Sequence, residues 1–208
     1  MSELATKDHI LEATISAIEK HGLPGLTTRA IAAEAGVNNA ALHYYFGTKE
    51  ALIEAALART LQNMMADTDE ILARPMSIEQ RLRDLLGYLI EGTLAFPNVI
   101  RAHLWAPLMD GTSGGPFERM QDAWADRIWR EVRHELPDSS QSAVRLALHT
   151  TLGGVVFMAL MPPSSHGGRP LSVRSAAIRN RYVDQLVDFV LTASPGAPRR
   201  KRARRTRR

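Results

Sequence analysis

Two sets of residues in this 208-residue chain carry groups able to react, ligate or recognise. The first is a scatter of carboxylates and imidazoles. Glu131 and His134 make one Glu-x-x-His, a spacing that helical di-iron sites use twice, and no second copy occurs. His134-Glu135 runs into Leu136-Pro137-Asp138, so a His-Glu-x-x-His zinc motif is absent, and the glycine pairs lack the lysine and preceding strand of a phosphate-binding loop. The absence of cysteine excludes disulfides, thiol nucleophiles, iron–sulfur clusters and cysteine-ligated zinc. Seven dispersed histidines give no base with an evident partner. The expectation is therefore no enzyme, no metal and no cofactor, with Glu131 and His134 on a solvated helix face.

The second set is contiguous, from Thr28 to Phe46. Ala32 is small enough for two helices to approach closely, and Gly36 tolerates the positive φ that a tight turn between them requires. Ile31, Ala35, Val37 and Leu42 then point inward, which is the pattern of a helix-turn-helix. With Leu42 and Phe46 inward, the second helix presents Asn39, Ala40 and His43 where base edges of a major groove would be met. Asn pairs with adenine, Ala touches a thymine methyl, and His donates or accepts. Thr27 and Thr28 at one helix start, Lys49 at the next and the Tyr44 hydroxyl suit phosphates.

The elements that must hold these residues are helices. Apolar residues recur at helical spacing and no sustained period-2 run appears, so the fold class is all-α. The spacing predicts helices over about 6–21 (Leu11, Ile15 and Ile18 inward, stopped at His21-Gly22), 28–35, 39–46, 49–73, 77–95 and 98–109. Three more follow over about 117–135 (Phe117, Met120, Trp124 and Ile128 on one face), 139–161 and 171–193, the last burying Val173, Tyr182, Leu186, Phe189 and Val190. Turn formers place loops at 110–116 and 164–170, and Asn38 suits an N-cap. The apolar stretch Leu146 to Pro163 contains His149, Thr150 and Thr151, and its unbroken run, Val155 to Met161, is far shorter than the ~20 residues of a membrane span. It reads as a buried helix, with Gly153-Gly154 letting a partner backbone approach.

The net charge of +4 conceals a division, because eight of the last ten residues are Arg or Lys and the remainder carries 18 cations against 22 anions. Residues 194–208 read as a Pro/Gly linker and a disordered basic tail. Residues 1–50 hold four cations against six carboxylates. The N-terminal residues lack the basic flank and apolar core of a secretory signal, which together with the missing cysteines predicts a cytoplasmic protein.

From about Ile10 to Leu57, roughly a quarter of the chain, the sequence resembles the tetracycline-repressor (TetR) family of bacterial transcriptional regulators. Gly22, Leu26-Thr27-Thr28, Ile31-Ala32, Ala35-Gly36-Val37, Leu42-His43-Tyr44-Tyr45-Phe46, Lys49 and Leu52 follow that family's order and spacing. The family more often has Tyr where His43 stands, His where Tyr45 stands and Ser where Asn38 stands. The resemblance implies a three-helix DNA-binding head (1–48) on a helical effector-binding and dimerising body (49–193), about nine helices in all. It places Arg29, Asn39, Ala40 and His43 near bases and Thr27, Thr28, Tyr44 and Lys49 near phosphates.

It also implies a homodimer on double-stranded operator DNA, released by a small-molecule effector, with no membrane partner. The helices at 139–161 and 171–193 are the expected dimer seam. Tyr88, Trp105, Phe117, Met120, Trp124, His149 and Met158 are candidates to line the effector pocket, since such cavities are apolar with a few polar handles; the alternative for each is plain core. The competing function is a constitutive nucleic-acid-binding protein driven by the Arg-rich tail, without an effector.

Overall fold

The computed structural model describes residues 3–111, 114–135, 140–161 and 172–193; the 164–170 loop, the 194–198 linker and the basic tail lie outside the described residues. Among the described residues there are nine α-helices and no strand: α1 (Glu3–Gly25), α2 (Thr28–Ala35), α3 (Asn39–Phe46), α4 (Lys49–Leu72), α5 (Ile78–Ala95), α6 (Pro97–Trp105), α7 (Pro116–Glu135), α8 (Gln141–Leu160) and α9 (Ala176–Thr192). The fold is all-α.

Local chemistry sets the boundaries. Gly22 interrupts α1 at φ 64°, where the sequence predicts the stop. Thr27, Asn38, Thr48 and Ser77 cap α2, α3, α4 and α5, each side chain accepting a backbone N–H three residues on. The helix predicted over 98–109 stops being α-helical at Trp105 and continues as a π-turn, Ala106–Asp110. Pro107 lies in that turn and has no N–H with which to continue the α ladder.

Two cores result. The first joins Ile10, Leu11, Ala17 and Ile18 of α1 to Ile31, Ala35 and Leu42, and is completed by Leu52 and Ala56 of α4 and Val99 and Ala102 of α6. Ile15, expected inward, is only half-buried. Glu19 of α1 accepts the Asn98 and Val99 amides at 2.9 and 3.2 Å, which fixes the N-terminus of α6 against α1. Head and body thus share packing across residue 48. The 24-residue α4, about 36 Å long at ~1.5 Å per residue, enters the second core with Ile71 and Leu72.

That second core packs α5, α7, α8 and α9 around Leu82, Leu86, Ile90, Trp124, Ile128, Leu148, Val155 and Val187. Beside it Arg81, only 8% exposed, donates to the Leu72 carbonyl (2.6 Å), Glu131 (3.0 Å) and Glu135 (2.7 Å). Glu131 is therefore an ion-pair partner of a buried guanidinium rather than part of a solvated face. Glu135 also accepts the Ile78 amide at the start of α5.

The last helix differs from expectation in phase. Val183, Val187 and Val190 enter the core, as does Val173 from the preceding turn, whereas Tyr182 and Leu186 are half-buried and Phe189 is exposed. On α8 the inner face is Val144, Ala147, Leu148, Thr151, Leu152, Val155 and Ala159. Among its exposed positions, Leu146, Thr150, Gly153 and Phe157, with Met161 just beyond, form one stripe at i, i+4, i+7, i+11 and i+15. By length and mean hydropathy, 1.6, α8 could cross a membrane. That apolarity is divided between a face turned into this chain and a second, uncovered one.

Candidate nucleic-acid interface

The first three helices are tied together before any recognition residue is placed. His9 Nε2 lies 3.0 Å from the Ala35 carbonyl, and Lys20 and Ser16 hold Glu34 at 2.6 and 2.8 Å, so α1 carries α2. The Lys20 ammonium and Ser16 hydroxyl lower the Glu34 pKa below its ordinary value. Gly36, at φ 63°, turns the chain, its N–H and that of Val37 closing back on α2 carbonyls. The Asn38 side chain accepts the Ala41 N–H at 2.9 Å and starts α3.

Leu42 is buried and Phe46 half-buried, which turns Asn39, Ala40, His43 and Tyr44 outward together on α3; Tyr44 is 75% exposed. The His43 ring is held, with Nδ1 2.6 Å from the Gly47 carbonyl. A carbonyl only accepts, so Nδ1 bears the proton, and in a neutral ring Nε2 is left as an outward acceptor. Such an acceptor matches the exocyclic amine of adenine or cytosine and not the O6 or N7 of guanine. Tyr45, half-buried, packs edge-on against Tyr44 with centroids 5.0 Å apart, so it supports the reading face rather than joining it.

The flank assembles separately. Lys49 Nζ donates to the Leu26 carbonyl at 3.1 Å, placing its ammonium beside Thr27 and Thr28 at the N-terminus of α2. Two of its three donors remain for an anion at a helix end where backbone N–H groups face outward. Arg29 is exposed on the first turn of α2. Thr48, legible in the sequence only as the start of the helix that follows it, is exposed at the N-cap of α4, and its hydroxyl accepts the Ala51 amide and still has a hydrogen to donate. Its signal was visible as a Thr directly before an apolar-periodic run.

Residues 10–56 match the family model for bacterial regulatory proteins of the tetR family. The chain is 24% identical over 183 residues to the HTH-type transcriptional regulator BetI of Burkholderia mallei, covering 86% of this chain and 91% of that one. BetI of Burkholderia ambifaria gives the same identity over 182 residues. The fold is shared with a putative TetR-family regulator from Rhodococcus sp. (TM-score 0.67, 20% identity, 90% of this chain and all of that one). It is shared also with a TetR regulator from Haloarcula marismortui (TM-score 0.65, 20% identity, 92% and 97%). The chain thus carries a tetR-family domain over residues 10–56 and is similar along most of its length to TetR-family regulators.

The chain is a DNA-binding transcriptional regulator, and it contains a cavity of about 590 Å³ between α1 and helices α4, α5 and α6. Tyr88 and Phe117, two of the seven sequence candidates, line it. Trp105 is exposed at the end of α6, Met120 and Trp124 are buried in the body core, Met158 packs on that core, and His149 lies 3.4 Å from Asp122 on the surface. None of those five reaches the cavity. The large apolar side chains crowd inside the body, whereas the space opens where the head helix leans on it. Its wall includes residues not anticipated from sequence, among them Glu12, Asp67 and His103.

Proposed function

We propose that this regulator is a homodimeric repressor that holds a pseudo-palindromic operator with its two heads in successive major grooves and leaves it when a small molecule fills the cavity. The observation that supports the reading is the single outward face of α3, which presents Asn39, Ala40 and His43 together; on this reading they would meet base edges, with Arg29 of α2 beside them, while Thr27, Thr28, Tyr44 and Lys49 would take phosphates. The cavity touches both the head helix and the body helices, so a ligand with unequal affinity for two head orientations would shift between them. The reading makes the protein a cytoplasmic transcription factor rather than an enzyme.

The uncovered stripe of α8 supports the dimer. Leu146 and Phe157 are 69% and 62% exposed, Met161 follows on the same line, and Phe189 of α9 is exposed as well. A two-fold axis would pair this stripe with its own copy, and Gly153, open where a Cβ would stand, lets the backbones close up. The competing reading, sequence-independent binding through the eight terminal cations, rests on charge alone. Selection from a random duplex pool separates them. The repressor reading predicts convergence on an inverted repeat, and uniform retention of all duplexes would reject it.

A further inference from the structure

On the wall of the cavity between α1 and α4–α6 most hydrogen-bond donors are already engaged, the exceptions among the described residues being the exposed Asn63 amide and one Lys20 N–H. Ser16 and Lys20 donate to Glu34. The Thr60 hydroxyl donates to the Leu57 carbonyl (2.7 Å), Thr93 to Leu89 (2.8 Å) and Tyr88 to Asp67 Oδ2 (2.5 Å). Since the one Thr60 hydrogen is committed, Thr60 accepts from His103 Nε2 at 2.8 Å. That leaves His103 Nδ1 as an acceptor in a ring 9% exposed. Burial lowers the His103 pKa to about 4, so the ring is neutral in ordinary buffers.

Acceptors, by contrast, are in excess. Glu12 has no hydrogen-bond or ion-pair partner among the described residues, and Asp67 Oδ1 has none either. Lys20, the wall's one cation, is neutralised by Glu34, while Glu12, Glu19 and Asp67 are all on the wall. The remaining surface is chiefly apolar and aromatic.

Resting on the reading of this cavity as the effector site, we propose that it binds a lipophilic organic cation with N–H donors, a protonated amine. An ammonium brings both the charge and the donors that Glu12, Asp67 and His103 lack, and charge-assisted bonds are the stronger kind. Its hydrocarbon part fits the apolar wall, and the volume suits a ligand of drug size. A carboxylate of the same shape would lose its hydration, meet only the Asn63 amide and one N–H of an already neutralised Lys20, and face the Glu12, Glu19 and Asp67 carboxylates. Because Glu12 is on α1 and Asp67 on α4, a cation held by both ties the head helix to the body, which would bias the orientation of α3.

The test uses the full chain with phenylbutylammonium and phenylpentanoate, which share a phenyl group and four methylenes and differ in the charged end. Calorimetric titration is expected to give at least about tenfold tighter binding of the ammonium, equivalent to ~1.4 kcal/mol. Glu12→Gln with Asp67→Asn is expected to erase the preference at unchanged helicity. Glu12→Gln alone, at an exposed position, should move it in the same direction if the double variant is unstable. Equal or tighter binding of phenylpentanoate, no ammonium binding up to millimolar, or unaltered ammonium affinity in the variants would overturn the proposal. A parallel mobility shift on operator DNA separates the two ideas. Ammonium binding that obeys these expectations but leaves operator affinity unchanged would sustain the cation site and reject the effector reading.

Discussion

Phe157→Ala should weaken dimerisation far more than its single position suggests. Phe157 is 62% exposed in the protomer, and complete burial of a large apolar side chain is worth about 1.5–3 kcal/mol. Covering the exposed part therefore contributes about 1–2 kcal/mol per copy. In a two-fold interface each residue occurs twice, so the loss is about 2–4 kcal/mol per dimer, or roughly thirty- to a thousandfold in Kd. Phe157→Arg adds a buried, unpaired charge on each side and should leave monomers at micromolar concentration. Sedimentation equilibrium reads both, and Leu146→Arg, on the same stripe at 69% exposure, should behave alike. Both Arg variants should keep native helicity, since neither side chain enters the protomer core. Two Arg variants that sediment as stable dimers would show that this stripe is not the seam.

Asn39→Ala and His43→Ala should each relax sequence preference at one operator position and its dyad mate by about 1–3 kcal/mol, whereas Lys49→Ala should weaken all duplexes about equally; competition binding on single-position operator variants checks this, and an unchanged Asn39→Ala profile counts against the α3 assignment. His103 should make the protein acid-sensitive: its pKa falls from 6.5 to about 4 on folding because burial disfavours the charged ring. The unfolded chain then binds the extra proton first as pH drops, so stability should fall progressively from about pH 6.5 to 4, by about 3 kcal/mol for this group. Urea melts of wild type and His103→Gln should diverge over that window, and parallel curves would contradict it. Arg81→Leu should cost about 3 kcal/mol, because it strands the Leu72 carbonyl and the Glu131 and Glu135 carboxylates; chemical denaturation measures it, and a loss below about 1 kcal/mol would show that Arg81 is not a structural centre.

The reading head was legible because local rules at neighbouring positions agree. Gly36 needs its positive φ, Asn38 caps, and Leu42 and Phe46 alternate with Asn39, Ala40 and His43 at helical spacing, all within one short segment. The phase of α9 was not legible, since Tyr182, Val183, Leu186, Val187, Phe189 and Val190 make two adjoining apolar faces. Periodicity alone does not say which face belongs to this chain and which awaits a partner. Nor could sequence join Glu12, Asp67, Tyr88 and His103, which come from four helices and meet only through the docking of α6 on α1. The partner of Glu131 was hidden in the same way, because Arg81 stands fifty residues away.

The most direct test of DNA recognition by α3 is the ratio of operator to unrelated-duplex affinity, at matched salt, for the full chain and for the chain without residues 199–208. Eight terminal cations could steepen the slope of log affinity against log salt by at most about 7 per chain, at ~0.9 per phosphate neutralised. Their removal should lower both affinities by similar factors and flatten that slope. The ratio itself, about a thousandfold or more for a specific site, should persist in the truncated protein and collapse in Asn39→Ala/His43→Ala. A ratio near one for the full chain, or one that vanishes with the tail while the α3 variant retains it, would contradict recognition by this helix.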